Sequence, residues 1–189
     1  MGELIHFVHQ SLDGFIEGPN GEFDWPRMNP ELSAYSQELV GGDTVFLYGR
    51  VVWEMMSGYW PEAERHSTHE HDLAFAPVWR AASKVVVSRT LEKAGWNARL
   101  ISENVVEELT ALKRSGARLL LFGGSSLASF LTEHGVIDEY RVFVHPVILG
   151  GGKPLIREQD HRVGLELVES RTFDSQVVLL RHRRADLRG

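Results

Sequence analysis

The stretch Arg118–Gly135, RLLLFGGSSLASFLTEHG, sets the pattern from which the rest of the chain is read. It opens with a short apolar run, Arg118–Phe122, of the length and composition of a buried strand. Gly123-Gly124-Ser125-Ser126 breaks the run, and a helix follows to His134, ended by Gly135. The same shape recurs upstream. Thr44–Tyr48 is a strand closed by Gly49-Arg50 and followed by a short helix over Val51–Ser57. Lys84–Val87 is a strand closed by Ser88-Arg89-Thr90. Leu4–Val8 reads as a further buried strand and Arg99–Ile101 as a short one. Pro30 after Asn29 opens a helix to Val40, and Asn104 caps a helix with Val105, Leu109 and Leu112 on one side and Gly116 at its end. Gly58–Asp72 reads as a loop, with Asp72 capping a helix to Ala82.

The last third changes character. Glu139–Val147, Leu165–Thr172 and Gln176–Arg183 read as strands, with Asp174-Ser175 as a hairpin turn between the last two. Strands alternating with helices, then antiparallel strands, predict an α/β domain around a mainly parallel, mixed sheet. The 189 residues contain no repeat and no Pro/Gly/Ser-rich linker, so a single domain over residues 1–189 is expected.

Composition excludes several functions. There are no cysteines, which removes disulfides, thiolate nucleophiles and Cys-ligated metal, and fits a reducing cytoplasm. The net charge of −6 argues against nonspecific nucleic-acid binding. The basic tail Arg181–Gly189 reads as a solvated chain end. No apolar run approaches the ~20 residues needed to cross a bilayer, and the opening MGELIHFVHQ lacks the basic region of a signal peptide. GxGxxG is absent, Pro154 follows Gly152-Lys153 where a P-loop needs Ser or Thr, and Leu127 spoils a GxSxG elbow. His66, His69 and His71 lie near Glu70 and Asp72, but in a polar stretch without helical ligand spacing, so no metal is expected.

What survives is a row of three strand ends: Gly49-Arg50, Ser88-Arg89-Thr90 and Gly123-Gly124-Ser125-Ser126. Ligands of open α/β sheets bind beyond the carboxyl ends of the strands. Two of these ends open helices, whose free N–H groups attract phosphate. Glycine lets the backbone approach an anion, and arginine grips phosphate through paired hydrogen bonds. The set describes a cradle for a ligand with several phosphates.

In order, SLDGFIEGPNGEFDW, LYGRVVWEMM, KVVVSRTL and LLLFGGSSLASFLTEHGVIDEYRVFVHPVILGGGKPL resemble the RibD C-terminal, dihydrofolate reductase-like family, over Leu4 to about Leu180. The resemblance implies a three-layer fold with a mixed, mostly parallel eight-stranded sheet flanked by helices, an NADP(H) site and a homodimer. By position, Gly49 and Arg50 match the turn at the cofactor phosphates. Ser88, Arg89 and Thr90 match the segment at the adenosine 2′-phosphate, which favours NADPH. Gly123 and Gly124 match a glycine pair under the pyrophosphate and nicotinamide, joined in dihydrofolate reductases by a cis peptide, and Ser125, Ser126 and Leu127 open the helix beyond it. On the substrate side, Ser11, Asp13 and Gly14 match the first loop, and Gly18–Trp25 match the loop over the nicotinamide. Pro146 and Gly150–Gly152 match a PxxLGxG turn that closes the pocket. Asp13 is the candidate for orienting substrate or a water. Trp25 and Trp60 are candidates for an aromatic wall, whereas Trp53 reads as core.

Departures concern the substrate. Phe122 stands where the riboflavin-pathway reductases usually have an acidic residue. The stretch Phe7–Gln10 lacks the lysine they often carry there. Glu31 and Glu38 are the candidates for the carboxylate that dihydrofolate reductases place on the first helix. The expected function is therefore an NADPH-dependent reductase of a small heterocyclic or carbonyl/imine substrate, riboflavin-pathway-like or dihydrofolate reductase-like. The alternative is a non-catalytic NADP(H)-binding or sensor protein.

Overall fold

The computed structural model describes residues 2–174 and 176–185. Residue 175 of the expected hairpin turn and residues 186–189 of the basic tail lie outside them.

The first strand, β1 (Leu4–Ser11), is the centre of the molecule. Successive side chains of a strand point to opposite faces, and here both faces are covered: Leu4 and Val8 lie in one apolar layer, Ile5 and Phe7 in the other. That is why the segment reads as an unbroken apolar run rather than an alternating one. The short β2 (Phe15–Glu17) follows, then α1 (Pro30–Val40), β3 (Thr44–Gly49) and α2 (Arg50–Tyr59). A 3-10 segment (Trp60–Arg65) leads to α3 (Glu70–Ala81), β4 (Lys84–Val87), β5 (Ala98–Ile101), α4 (Val105–Arg114) and β6 (Arg118–Leu121). The chain ends with α5 (Ser125–Glu133), β7 (Glu139–His145), β8 (Lys153–Pro154), β9 (Leu165–Phe173) and β10 (Val177–Arg184).

Eight strands form one sheet in the order β5-β4-β3-β6-β1-β7-β10-β9. The six from β5 to β7 are parallel, and β10 and β9 close one side antiparallel. α1, α2 and α3 cover one face through Leu32, Leu39, Trp53, Phe75 and Trp79, and α4 and α5 cover the other through Leu109, Leu127 and Leu131. Each such buried side chain contributes on the order of 1.5–3 kcal/mol, so two full layers hold the parallel edge in place without crosslinks.

Three expectations are corrected. Gly58–Asp72 is a loop only around Ser67–His69, because Trp60 packs edge-on against Phe75 with ring centroids 4.6 Å apart and the stretch before Ser67 is drawn into helical turns. The cap of α3 is His69, whose ring accepts from the His71 amide, while Asp72 accepts from the Tyr59 hydroxyl at 2.8 Å. The tail is not wholly solvated, since Arg181 and Arg183 turn in to Glu139, which is 1% exposed. A buried carboxylate is retained only when it is paired. Trp53 is core, as read from the sequence.

Lys84, also 1% exposed, shows the same logic with opposite charge. Its Nζ donates to the carbonyls of Ala82 at 2.8 Å and Trp96 at 3.0 Å, and lies over the Trp79 ring. Burial pulls its pKa down to about 8.

Candidate functional site

The carboxyl ends of β3, β4, β5 and β6 open onto one cavity of about 990 Å³. Its wall includes Gly49, Arg50, Ser88, Arg89, Thr90, Gly124, Ser125, Ser126 and Leu127, so three sequence-distant strand ends share one space. Gly123 stands just behind, its carbonyl accepting from the Gly49 amide at 3.4 Å. The Gly123–Gly124 peptide bond is cis.

Backbone chemistry dominates this wall. The first N–H groups of a helix have no intrahelical partner. α2 begins at Arg50 after Gly49, α5 begins at Ser125 after Gly124, and neither helix has a side-chain cap. Ser125 Oγ is buried and has no hydrogen-bond partner among the described residues. Two uncapped helix starts at one cavity, with an orphaned hydroxyl beside them, are what an anion would satisfy. A side chain at position 124 would press on Val52 Cγ2 at 3.4 Å and project into this space. The residues present therefore fit a phosphorylated cofactor.

The charges follow the same plan. Arg89 stands exposed on the wall, while Arg50 is held by Glu54 at 3.0 Å on the next turn of α2. The sequence reading missed Lys153, Arg157 and the segment Ser102–Asn104, which also line the cavity. A signal for the last was available: Ser102–Asn104 follows β5 and precedes α4, a fourth strand end of the same kind. Lys153 reaches the wall because β8 pairs with β2, with its ammonium on Glu17 at 2.7 Å. That pairing requires Gly152: its φ is +130°, and a Cβ there would meet the Glu17 carbonyl at 2.0 Å.

The expected substrate-side residues are not gathered into one pocket. Ser11 is buried, and its hydroxyl accepts from the Phe15 amide at 3.0 Å. Asp13 accepts from the amides of Leu149 at 3.1 Å and Gly150 at 2.8 Å, which makes it a strut between two loops. Hydrogen bonding from Ser11, then from those amides, holds its carboxyl below the ordinary range. Gly14 turns the first loop at φ +89°, and Pro146 is exposed. Trp60 belongs with Phe75 and donates to Met56 Sδ at 2.8 Å. Glu31 caps the far turn, accepting from the Asp174 amide at 2.6 Å, and Glu38 is exposed.

Imidazoles occupy the face under α1 and α3 instead. His9 Nδ1 and His145 Nε2 are 2.8 Å apart, and His145 Nδ1 accepts from the Arg27 amide at 3.3 Å. Trp25 stands edge-on to His145. His71 Nδ1 lies 2.9 Å from the Ser33 hydroxyl. Burial drives the pKa of His9 to about 3 and of His145 to about 4, so both are neutral near pH 7. Sequence reading grouped only His66, His69 and His71, and only the β1–β7 pairing brings His9 and His145 together.

The fold is of the dihydrofolate reductase-like class. Dihydrofolate reductase from Enterococcus faecalis, complexed with NADP(H) and RAB-propyl, superimposes with a TM-score of 0.66 at 16% identity, over 98% of each chain. A putative riboflavin biosynthesis protein from Shewanella sp. PV-4 gives 0.76 at 20% identity, over 98% of this chain and all of that one. Within that class, the chain belongs to the RibD C-terminal domain family, which it matches over residues 3–179. Among sequence relatives in Bacillus subtilis (strain 168), the uncharacterized protein YyaP is 38% identical over 172 residues, covering 89% of this chain and 87% of that protein. The uncharacterized protein YwjB is 29% identical over 189 residues, covering 97% and 98%. Among the described residues, no helix is long and apolar enough to cross a membrane.

Proposed function

We propose that the protein is an NADPH-dependent reductase of a small heterocyclic or carbonyl/imine substrate, riboflavin-pathway-like or dihydrofolate reductase-like. The observation that carries this reading is the pair of uncapped helix starts at Arg50 and Ser125, facing one cavity beside the orphaned Ser125 hydroxyl. In the reading, Gly49, Gly123, Gly124, Ser125 and Ser126 hold the pyrophosphate by backbone and hydroxyl donors, with Leu127 packing the helix behind them. Arg50 adds charge from the next strand end. Ser88, Arg89 and Thr90 hold the adenosine 2′-phosphate, which selects NADPH over NADH. When bound, the cofactor supplies the hydride, while the protein supplies position and electrostatics. Asp13 takes no part in proton transfer in this reading, because both of its oxygens are committed to the 149–150 turn.

A homodimer fits the edge strand β9, whose Leu165, Leu167 and Val168 are exposed. The second reading, a non-catalytic NADP(H) sensor, is favoured by the scattering of the expected substrate-side residues. Calorimetry with NADPH and NADH tests the cofactor site: micromolar NADPH and much weaker NADH are expected, and no saturation at millimolar NADPH refutes it. NADPH consumption with pterins, ribosylaminopyrimidines, imines and aldehydes then separates reductase from sensor.

A further inference from the structure

We propose that His9, oriented by His145, presents its Nε2–H as the hydrogen-bond donor to the hydride-accepting carbonyl oxygen or imine nitrogen of a neutral, planar, conjugated substrate. The proposal rests on the reductase reading for the position of the hydride and on the imidazole geometry for the donor.

The tautomers follow from the hydrogen bonds. His145 Nδ1 receives the Arg27 amide N–H, so in the neutral ring the proton sits on Nε2. That Nε2–H donates to His9 Nδ1 at 2.8 Å. His9 is then bare at Nδ1 and protonated at Nε2. A backbone amide thus sets, through two rings, which nitrogen His9 offers. With Nδ1 committed to His145 of β7, Nε2 is the ring nitrogen left to donate. His9 keeps part of its surface exposed, whereas His145 is 1% exposed.

Position along the sheet points the same way. Neighbouring strands are about 4.8 Å apart, so the three steps from β4 to β1 span roughly 14 Å. A dinucleotide with its 2′-phosphate at the end of β4 and its pyrophosphate at β3 and β6 would have β1 as the next strand for its far ring. His9 is on that strand, two residues before its end.

The surroundings select the substrate. His9 stacks on Phe143 with centroids 5.1 Å apart and meets Phe7 edge-on at 5.2 Å, while Phe7 meets Phe122 at 5.7 Å. The titratable groups that face His9 are His145 from β7 and His71 from α3. Arg27 acts on His145, and Asp72 and His69 act on His71; Asp72 already holds the Tyr59 hydroxyl. Among the described residues no carboxylate is hydrogen-bonded to His9, so its ring offers a cation nothing and a neutral acceptor an N–H. In the step, a hydride adds to carbon and the C=O or C=N π pair moves to the heteroatom. His9 Nε2–H stabilises that charge, one proton from water completes the O–H or N–H, and the dihydronicotinamide is oxidised by the same two electrons. A neutral imidazole donor suits this role because it stabilises developing charge without first having to be protonated.

The probe is isatin, a neutral planar dicarbonyl, with N-methylquinolinium as the cationic control. In long-range proton–nitrogen spectra of the imidazoles, recorded without cofactor, His9 should be protonated at Nε2, and isatin should shift that resonance while N-methylquinolinium leaves it in place. In NADPH-dependent isatin reduction, His9→Phe, which keeps the stack on Phe143, should lower kcat about 100-fold and leave NADPH affinity within about two-fold. His9→Gln should restore part of the loss, and His145→Phe should mix the His9 tautomers. An unmoved His9 resonance, an equal response to the cation, or an unchanged kcat in His9→Phe overturns the proposal. Failure of NADPH to bind in calorimetry sinks the reductase reading instead, while the cofactor-free spectra still decide the donor.

Discussion

Two regions of the same sheet edge are built in opposite ways. The ends of β3, β4, β5 and β6 are lined by glycine, serine and two helix starts without side-chain caps. One step further, at β1 and β7, side chains of three segments interlock: His9, His145, Trp25 and Phe143 touch ring to ring. The first region is backbone left uncapped, and the second is rings packed against one another. A cradle of backbone donors depends on the fold and tolerates changes in the surrounding side chains, whereas a mosaic of rings depends on each residue in it.

The largest effect that would break this contrast is expected at Gly124. Gly124→Val should reduce NADPH affinity by more than about 100-fold, because its side chain fills the approach to the helix start. Circular dichroism should be unchanged, since among the described residues a Cβ at position 124 meets only the Val52 side chain within 4 Å. Next, Arg89→Ala should weaken NADPH by about 10- to 100-fold, the value of a lost charge-assisted contact, and leave NADH nearly unchanged; equal losses would detach Arg89 from the 2′-phosphate.

The ring region should instead respond to acid. His9, His145 and, on the opposite face, His6 have folded pKa values of about 3, 4 and 3, below the 6.5 of an unfolded histidine, through burial. A depressed histidine stabilises the fold fully above pH 6.5 and loses that contribution as pH falls from 6.5 toward the folded value. Each can cost up to about 1.4 kcal/mol per pH unit in that window. Urea midpoints measured from pH 7 to 4.5 should fall. In His6→Leu, which replaces a ring whose two nitrogens have no partner, the decline should be shallower by about one proton. The smallest effect is at the cradle's rim. Glu54→Gln frees Arg50 from an exposed ion pair, and such pairs are weak, so NADPH should bind about two- to five-fold more tightly; a weaker complex would mean that Arg50 has no role at the phosphates.

The same contrast explains what could be read from the sequence. Strand ends marked by Gly49-Arg50, Ser88-Arg89-Thr90 and Gly123-Gly124 are local signals, and each appears where the parallel sheet turns into a helix or loop. The sheet, both flanking layers and the cavity wall follow from them. The imidazole cluster was not legible, because nothing near His9 in the chain announces His145. Their contact depends on two strands separated by most of the sequence pairing in one register. The segment Gly58–Asp72 misled for a related reason. Its proline, histidines and charges resemble a loop, yet Trp60 reaching Phe75 gives it a buried anchor.

One consequence of the strand order concerns synthesis. β1 is the first strand made, yet its partners β6 and β7 are encoded only from Arg118 to His145. A ribosome therefore releases most of the polypeptide before the middle of the sheet can zip up. Until then the nascent chain carries an apolar ribbon with both borders unpaired, a state prone to self-association. A circular permutant that begins after the β6 segment would move the order of emergence closer to the order of neighbours, and its refolding yield would measure how much the natural order costs.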